Sequence, residues 1–210
     1  MNASTAGTRN AMLQIVPPHG EDRVLLHICC AVCAGPILEM LLHSGIEPIA
    51  FFYNPNMDTP EEYAKRKEEH LRYAQKLGVR VADADYDPAC WADAVRGLEK
   101  EPERGARCDR CFEMRLTRAA QYAQKQGIPL LATTLGISRW KDVDQVNRAG
   151  ERAVSLTPSV AFWPHNWRKQ GGSPRMVELA HEEHFYRQNY CGCTYSRLAA
   201  EQAAARRSNT

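Results

Sequence analysis

Apolar and polar positions along the chain alternate between two kinds of segment. Arg23 to Ile28 is a short, nearly continuous apolar run, which predicts a buried strand. "GPILEMLLHSG" then sets Ile37, Leu38, Leu41 and Leu42 on one helical face, with Gly45 where a C-cap belongs. "EPIAFFYNPN" reads as a second strand ending in a turn. "TPEEYAKRKEEHLRYAQKLG" reads as a helix with Thr59 as N-cap, Pro60 in the first turn and Gly78 at the end. "VRVADADY" is a third strand, and "PACWADAVRGLEKEPE" a helix that breaks near Pro102. Cys111 to Gln126 predicts a helix, "IPLLATTL" a fourth strand and "KDVDQVNRAGERAVS" another helix. The pattern then fails from Leu156 to Arg175, as a long loop or lid would. "RMVELAHEEHFY" is helical, "CGC" follows, and a last helix starts near Ser196.

Strands alternating with helices predict an α/β domain with a parallel sheet and right-handed crossovers. Sites in such sheets form at the carboxyl ends of the strands. The expected organisation is a flexible N-terminal arm over 1–20, one catalytic domain over 21–200 and a frayed tail over 201–210. At 210 residues the chain has room for one sizeable core. A net charge of +2 provides no broad basic field, so any nucleic acid must be held by a local patch. No apolar run reaches the roughly eighteen residues of a membrane span, and the N-terminus lacks a secretory pattern. The expected location is the cytoplasm, where thiols stay reduced.

Eight cysteines in such a compartment need a use other than disulfides. Seven fall into three groups: Cys29, Cys30 and Cys33; Cys108 and Cys111; Cys191 and Cys193. Cys90 stands alone and reads as a small buried hydrophobe. A CxxC pair alone is ambiguous, but three groups spread along a chain imply a fold that gathers them. Structural zinc does not need seven thiols from three distant segments. Four thiolates suffice for a [4Fe–4S] cluster, and the three left over suffice for a second, open metal site. Adjacent side chains usually point apart, so Cys29 and Cys30 are expected to serve different metal atoms. Gly192 allows close backbone approach and offers an N–H to a sulfur.

"LLHICCAVCAGP", "CDRCFEMRL", "TTLGISRWKDVDQV" and "YRQNYCGCTYS" together resemble the QueH-type epoxyqueuosine reductases, from about residue 23 to 198. The resemblance implies a fold similar to the adenine-nucleotide-hydrolase or PP-loop (HUP) type. "CCAVCAGP" takes the place of a phosphate-binding loop there, and no SGGxDS or GxxxxGK[ST] is present. Val32 stands where CCAPC would place proline, a change that should alter loop stiffness and leave ligation alone. The implied activity is two-electron reduction of the epoxide of epoxyqueuosine, at the wobble position of tRNA, to the alkene. The implied cofactors are a [4Fe–4S] cluster and a mononuclear metal, iron. The partners are tRNA and a low-potential donor of the ferredoxin or flavodoxin type, with no membrane.

Metal ligands are expected among Cys29, Cys30, Cys33, Cys108, Cys111, Cys191 and Cys193, with the partition left open. A proton donor is needed to release oxygen as water. Asp142 and Tyr195 are the leading candidates, beside Asp144 and Tyr190, although Asp142 also suits a helix N-terminus and Tyr195 also suits packing. Arg139, Trp140, Lys141, Arg168 and Lys169, with Trp163 and Trp167, interleave basic and aromatic residues as an unstacked base requires. A lid packing its own tryptophans inward fits equally well. His27 reads as a satisfied core histidine, His181 and His184 as a solvated face, and "KRKEEHLRYAQK" as an exposed helix face. Two other functions compete: a zinc-stabilised RNA-binding protein without redox activity, and an ATP-dependent tRNA thiolation enzyme that the missing SGGxDS disfavours.

Overall fold

The computed structural model describes residues 14–84 and 86–208. Most of the expected arm, residues 1–13, and the last two residues of the tail lie outside them. Five strands form one wholly parallel sheet: β1 (Arg23–Ile28), β2 (Glu47–Phe52), β3 (Arg80–Asp83), β4 (Leu130–Thr133) and β5 (Ala161–Phe162), in the order β3-β2-β1-β4-β5. Seven helices accompany them: α1 (Ala31–His43), α2 (Pro60–Lys76), α3 (Pro88–Ala94), α4 (Ala106–Lys125), α5 (Val143–Val154), α6 (Gly172–Glu182) and α7 (Thr194–Ser208). This is the expected α/β domain, consistent with a HUP-like fold.

The pleat of β1 divides the core in two. Val24, Leu26 and Ile28 face one cluster with Ile37, Leu38 and Leu41 of α1. Leu25 faces another, with Ile49 and Phe51 of β2 and Ala119, Ala120 and Ala123 of α4. A central strand covered on both faces must be apolar throughout, which is why Val24 to Ile28 are all buried. Its one polar member, His27, is paired with the Thr133 hydroxyl at 2.9 Å and the Tyr53 carbonyl at 3.2 Å. The expected core histidine is therefore what the strand contains.

Several boundaries differ from expectation for local reasons. α1 starts at Ala31, so Gly35 and Pro36 lie inside it and do not break the chain. Gly35 is there for contact: a Cβ would sit 3.1 Å from Leu179 of α6. α4 starts at Ala106, five residues before Cys111. α3 stops at Ala94 and does not run toward Pro102. The poorly patterned segment contributes β5 at the sheet edge, only two residues long. Thr59 caps α2 as expected, its hydroxyl accepting from the Glu62 N–H at 3.1 Å. The helix face assigned to solvent in α2 carries an inward stripe, Tyr63, Arg66, His70 and Tyr73, all buried.

The strands run from β1 outward to β3 on one side and from β4 to β5 on the other. The switch point therefore lies between β1 and β4, where ligand sites of open parallel sheets form.

Candidate metal centre

Cys29 follows β1 directly, at that switch point. Its N–H donates to the Thr134 hydroxyl at 3.0 Å, and the same hydroxyl donates back to the Cys29 sulfur at 3.2 Å. Thr134 follows β4, so the two central strands jointly fix this thiol. Cys30 is the extended residue that enters α1, and Cys33 sits in its first turn. The three sulfurs lie within 4.8 Å of one another. Cys29 and Cys30 are 3.9 Å apart, too far for a bond and close enough to share one metal ion. Their side chains therefore do not point apart, as the expectation of two different metal atoms assumed. Strand alternation ends at Ile28, and the turn into α1 swings Cys30 back toward its neighbour.

Charge is unevenly divided in this triad. Hydrogen bonds from Cys30 and then Cys33 hold the Cys29 thiol well below its ordinary value, with help from Lys141 and Thr134. Cys30 is pushed up to about 12, first by its bond with Cys29, and Cys33 is raised for the same reason. One thiolate supported by two thiols is a site ready to exchange protons for a cation. Gln188 donates to the Cys30 sulfur at 2.9 Å, which further orients the group.

The other four grouped thiols make up a second, looser set, since only the first three bring their sulfurs within 4.8 Å of one another among the described residues. Cys108 and Cys111 lie one turn apart on α4. Cys191 and Cys193 lie just before α7, and their charges act on both α4 thiols. Burial first, and then these neighbours, push Cys108 up to about 11, and burial likewise raises Cys111. The "CGC" segment fits because Gly192 has φ +130 and its Cα lies against Met57 and Asn56; a Cβ would be 2.7 Å from the Met57 sulfur. The Gly192 N–H goes to the Ser196 hydroxyl at 3.3 Å and not to a sulfur, which corrects that expectation. Backbone donors do reach the set elsewhere: Arg104 N–H meets the Cys108 sulfur at 3.3 Å.

Cys90 belongs to neither set. It is exposed in the first turn of α3 and is not a buried hydrophobe, because that turn faces the open side of α4 near Arg110 and Arg118. All eight cysteines are free.

Two buried cations, Arg66 and Arg115, and the half-buried Lys141 surround the sulfurs. Arg66 donates to Glu62 at 2.6 Å and to the Cys191 carbonyl at 3.0 Å. Arg115 is bonded to Asn54 and to the Tyr53 carbonyl. Lys141 donates to the Cys191 sulfur at 3.1 Å. Sequence reasoning missed Arg66 and Arg115. The signal for Arg66 was its place three residues after Tyr63 and four before His70, on one stripe of α2.

The remaining expected site residues separate into inner and outer ones. Asp142 caps α5, its carboxylate accepting from the Asp144 N–H at 2.9 Å and the Gln145 N–H at 3.2 Å. Tyr195 packs with Trp91, Cys111 and Cys193, under the Arg107 guanidinium at 4.4 Å. Tyr190 donates to Asp58 at 3.0 Å. Arg139 and Trp140 are exposed, the guanidinium 4.7 Å from the indole, and Trp140 is 68% exposed. Lys169 is exposed as well. Arg168 donates to the carbonyls of Ser138 at 2.5 Å and Lys141 at 2.8 Å, and so braces the loop that carries Lys141. Trp163 and Trp167 are buried against the first core, Trp167 at 1% exposure. The segment packs its tryptophans inward, and Trp140 is the aromatic surface that remains.

This arrangement meets its counterparts in known proteins. A family model described as "Epoxyqueuosine reductase QueH" matches residues 24–199. A protein of that name from Haemophilus influenzae is 52% identical over 179 residues, 85% of this chain and 73% of its own length. One from Acinetobacter baylyi is 49% identical over 179 residues, 85% and 82% of the two chains. One from Thermotoga maritima is 34% identical over 185 residues, 87% and 94%.

Proposed function

We propose that this chain, which belongs to the epoxyqueuosine reductase QueH family, is the oxidoreductase that turns the epoxide of epoxyqueuosine into the alkene of queuosine at the wobble position of a tRNA. The step takes up two electrons and two protons, breaks both C–O bonds of the epoxide and releases water. The observation that supports the reading is the trio of thiols gathered at the switch point of the sheet, with Cys108, Cys111, Cys191 and Cys193 near enough to feel one another's charge.

The donor sets fit the cofactors that the reading requires. Cys108, Cys111, Cys191 and Cys193 match the four thiolates of a [4Fe–4S] cluster and would hold it. Cys29, Cys30 and Cys33 would hold a single iron with a position left open. When bound, these groups supply single electrons and Lewis acidity. The protein surrounds both sets with cations and buries Cys30, Cys33 and Cys111, leaving the other four half-buried.

Tyr195 lies beside the four-thiol set and would hold a proton at its phenol oxygen. Asp142 spends one carboxylate oxygen on the α5 cap, and its other oxygen would carry the proton. Arg139 and Trp140 form an exposed cation–aromatic pair on which an unstacked anticodon base can lie, with Lys169 as a phosphate partner. A low-potential ferredoxin or flavodoxin is the class of electron donor such iron requires, and the cytoplasm is the compartment that keeps the thiols reduced.

The test is iron, acid-labile sulfide and zinc per chain after anaerobic purification, followed by turnover of tRNA carrying epoxyqueuosine. About five iron with about four sulfide, and turnover, are expected. Zinc without sulfide in protein kept from oxygen would overturn the reading in favour of a zinc-stabilised RNA-binding protein.

A further inference from the structure

Lys141 lies in the loop between β4 and α5, one residue before the cap of α5. Its neighbours Arg139 and Trp140 face solvent, whereas its ammonium is turned in toward the sulfurs. Nζ donates to the Cys191 sulfur, a member of the four-thiol set. The same ammonium also feels the charges of Cys29 and Cys33, in the three-thiol set. Among the described residues, no other side-chain cation is bonded to a sulfur of one set while its charge acts on the other. Arg66 is shared with Glu62 and with the Cys191 carbonyl, and Arg115 with Asn54 and the Tyr53 carbonyl. Among the described residues, the Lys141 ammonium has no carboxylate or carbonyl partner.

A buried ammonium is costly unless an anion repays its lost hydration. Here the anions would be the metal-bound thiolates of both sets, with the ammonium already donating to the Cys191 sulfur. The loop that delivers it is held from outside by Arg168, which bonds the carbonyls of Ser138 and Lys141.

We propose that Lys141 is a positioning residue for the metal centre: its fixed positive charge pins the Cys191 sulfur, offsets the charge where the two thiol sets meet, and raises the reduction potential of the iron held there. The proposal rests on the reading that both sets hold iron. It assigns Lys141 to the centre, in place of the tRNA contact that its basic, aromatic surroundings in the sequence suggest.

The experiment compares wild type, Lys141→Met and Lys141→Arg as anaerobically loaded protein. Iron and sulfide are counted on each, folding is checked by circular dichroism, and midpoint potentials are read by redox titration followed by electron paramagnetic resonance. The expected result is a lower midpoint potential in Lys141→Met, with Lys141→Arg near wild type. Loss of iron in Lys141→Met that Lys141→Arg restores supports the same role. A fully loaded Lys141→Met at the wild-type potential would overturn it, as would equal loss of iron in both variants, since arginine keeps the charge. Wild-type protein that binds zinc without sulfide instead defeats the underlying iron reading, so the two failures are told apart.

Discussion

Cys90 and Gly192 show how single residues divide between the site and its surroundings. Cys90 is exposed and lies outside both thiol sets. Cys90→Ser is therefore expected to leave iron, sulfide and turnover unchanged, while removing the thiol that alkylates first in loaded protein. Mass-spectrometric mapping after brief iodoacetamide treatment checks this, and a drop in iron content would contradict it. Gly192 is the opposite case. Its φ of +130 and the contact with Met57 leave no room for a Cβ. Gly192→Ala should cost about 1–3 kcal/mol and lower cluster loading, because Cys191 and Cys193 could no longer both approach α4. Urea unfolding and sulfide content measure the two effects. The glycine between two cysteines was legible in the sequence. The inward direction of Lys141 was not, because its neighbours alternate basic and aromatic residues, as an exposed patch would.

At the scale of elements, the periodic segments were legible and their ends less so. α2 was bounded by its own chemistry, with Thr59 and Pro60 at the start and Gly78, at φ +68, after the end. Thr59→Ala should destabilise the protein by about 1 kcal/mol, seen as a lower urea midpoint with an unchanged slope. An unaltered midpoint would mean that packing of the α2 stripe, not the cap, sets its start. α1 and α4 instead begin upstream of their hydrophobic periodicity. Cys30 is the N-cap of α1, and the first turns carry Cys33 and Cys108, which show no helical apolar period to mark the starts. β5 escaped notice because two residues show no period at all.

At the scale of the whole molecule, two buried imidazoles make the fold sensitive to acid. Burial lowers His27 to about 3 and His70 to about 4, from an ordinary 6.5. Below about pH 6.5 the unfolded chain binds a proton at each, and the folded protein does not. Stability is therefore complete above that pH and is lost as the pH falls toward 4 and then 3, at about 1.4 kcal/mol per unit for each histidine. Metal-free protein should unfold about 3–4 kcal/mol more easily at pH 5 than at pH 7. Neither ring nitrogen of His70 has a partner, so His70→Leu should also be more stable at pH 7 and lose about half of the acid effect. If urea midpoints of this variant fall as steeply as those of wild type, His70 is not a source of the sensitivity.

The sheet class was legible from alternating strands and helices, and the three cysteine groups already implied a fold that gathers them, but the meeting of Cys29 with Thr134 was not legible. It depends on the place of β1 beside β4, a pairing between segments more than a hundred residues apart, for which no local pattern stands.

That separation along the chain also orders the making of the protein. Synthesis proceeds from the N-terminus, and domains fold as their parts emerge. The first three thiols leave the ribosome early, with Cys33 the last of them, whereas the four-thiol set is complete only once Cys193 has emerged. On the proposed division, the ligands for one metal ion are thus synthesised long before those for a cluster are complete. If the four-thiol set holds the cluster, as proposed, its insertion is a late event in the life of the chain, and the finished polypeptide is what must be recognised for it.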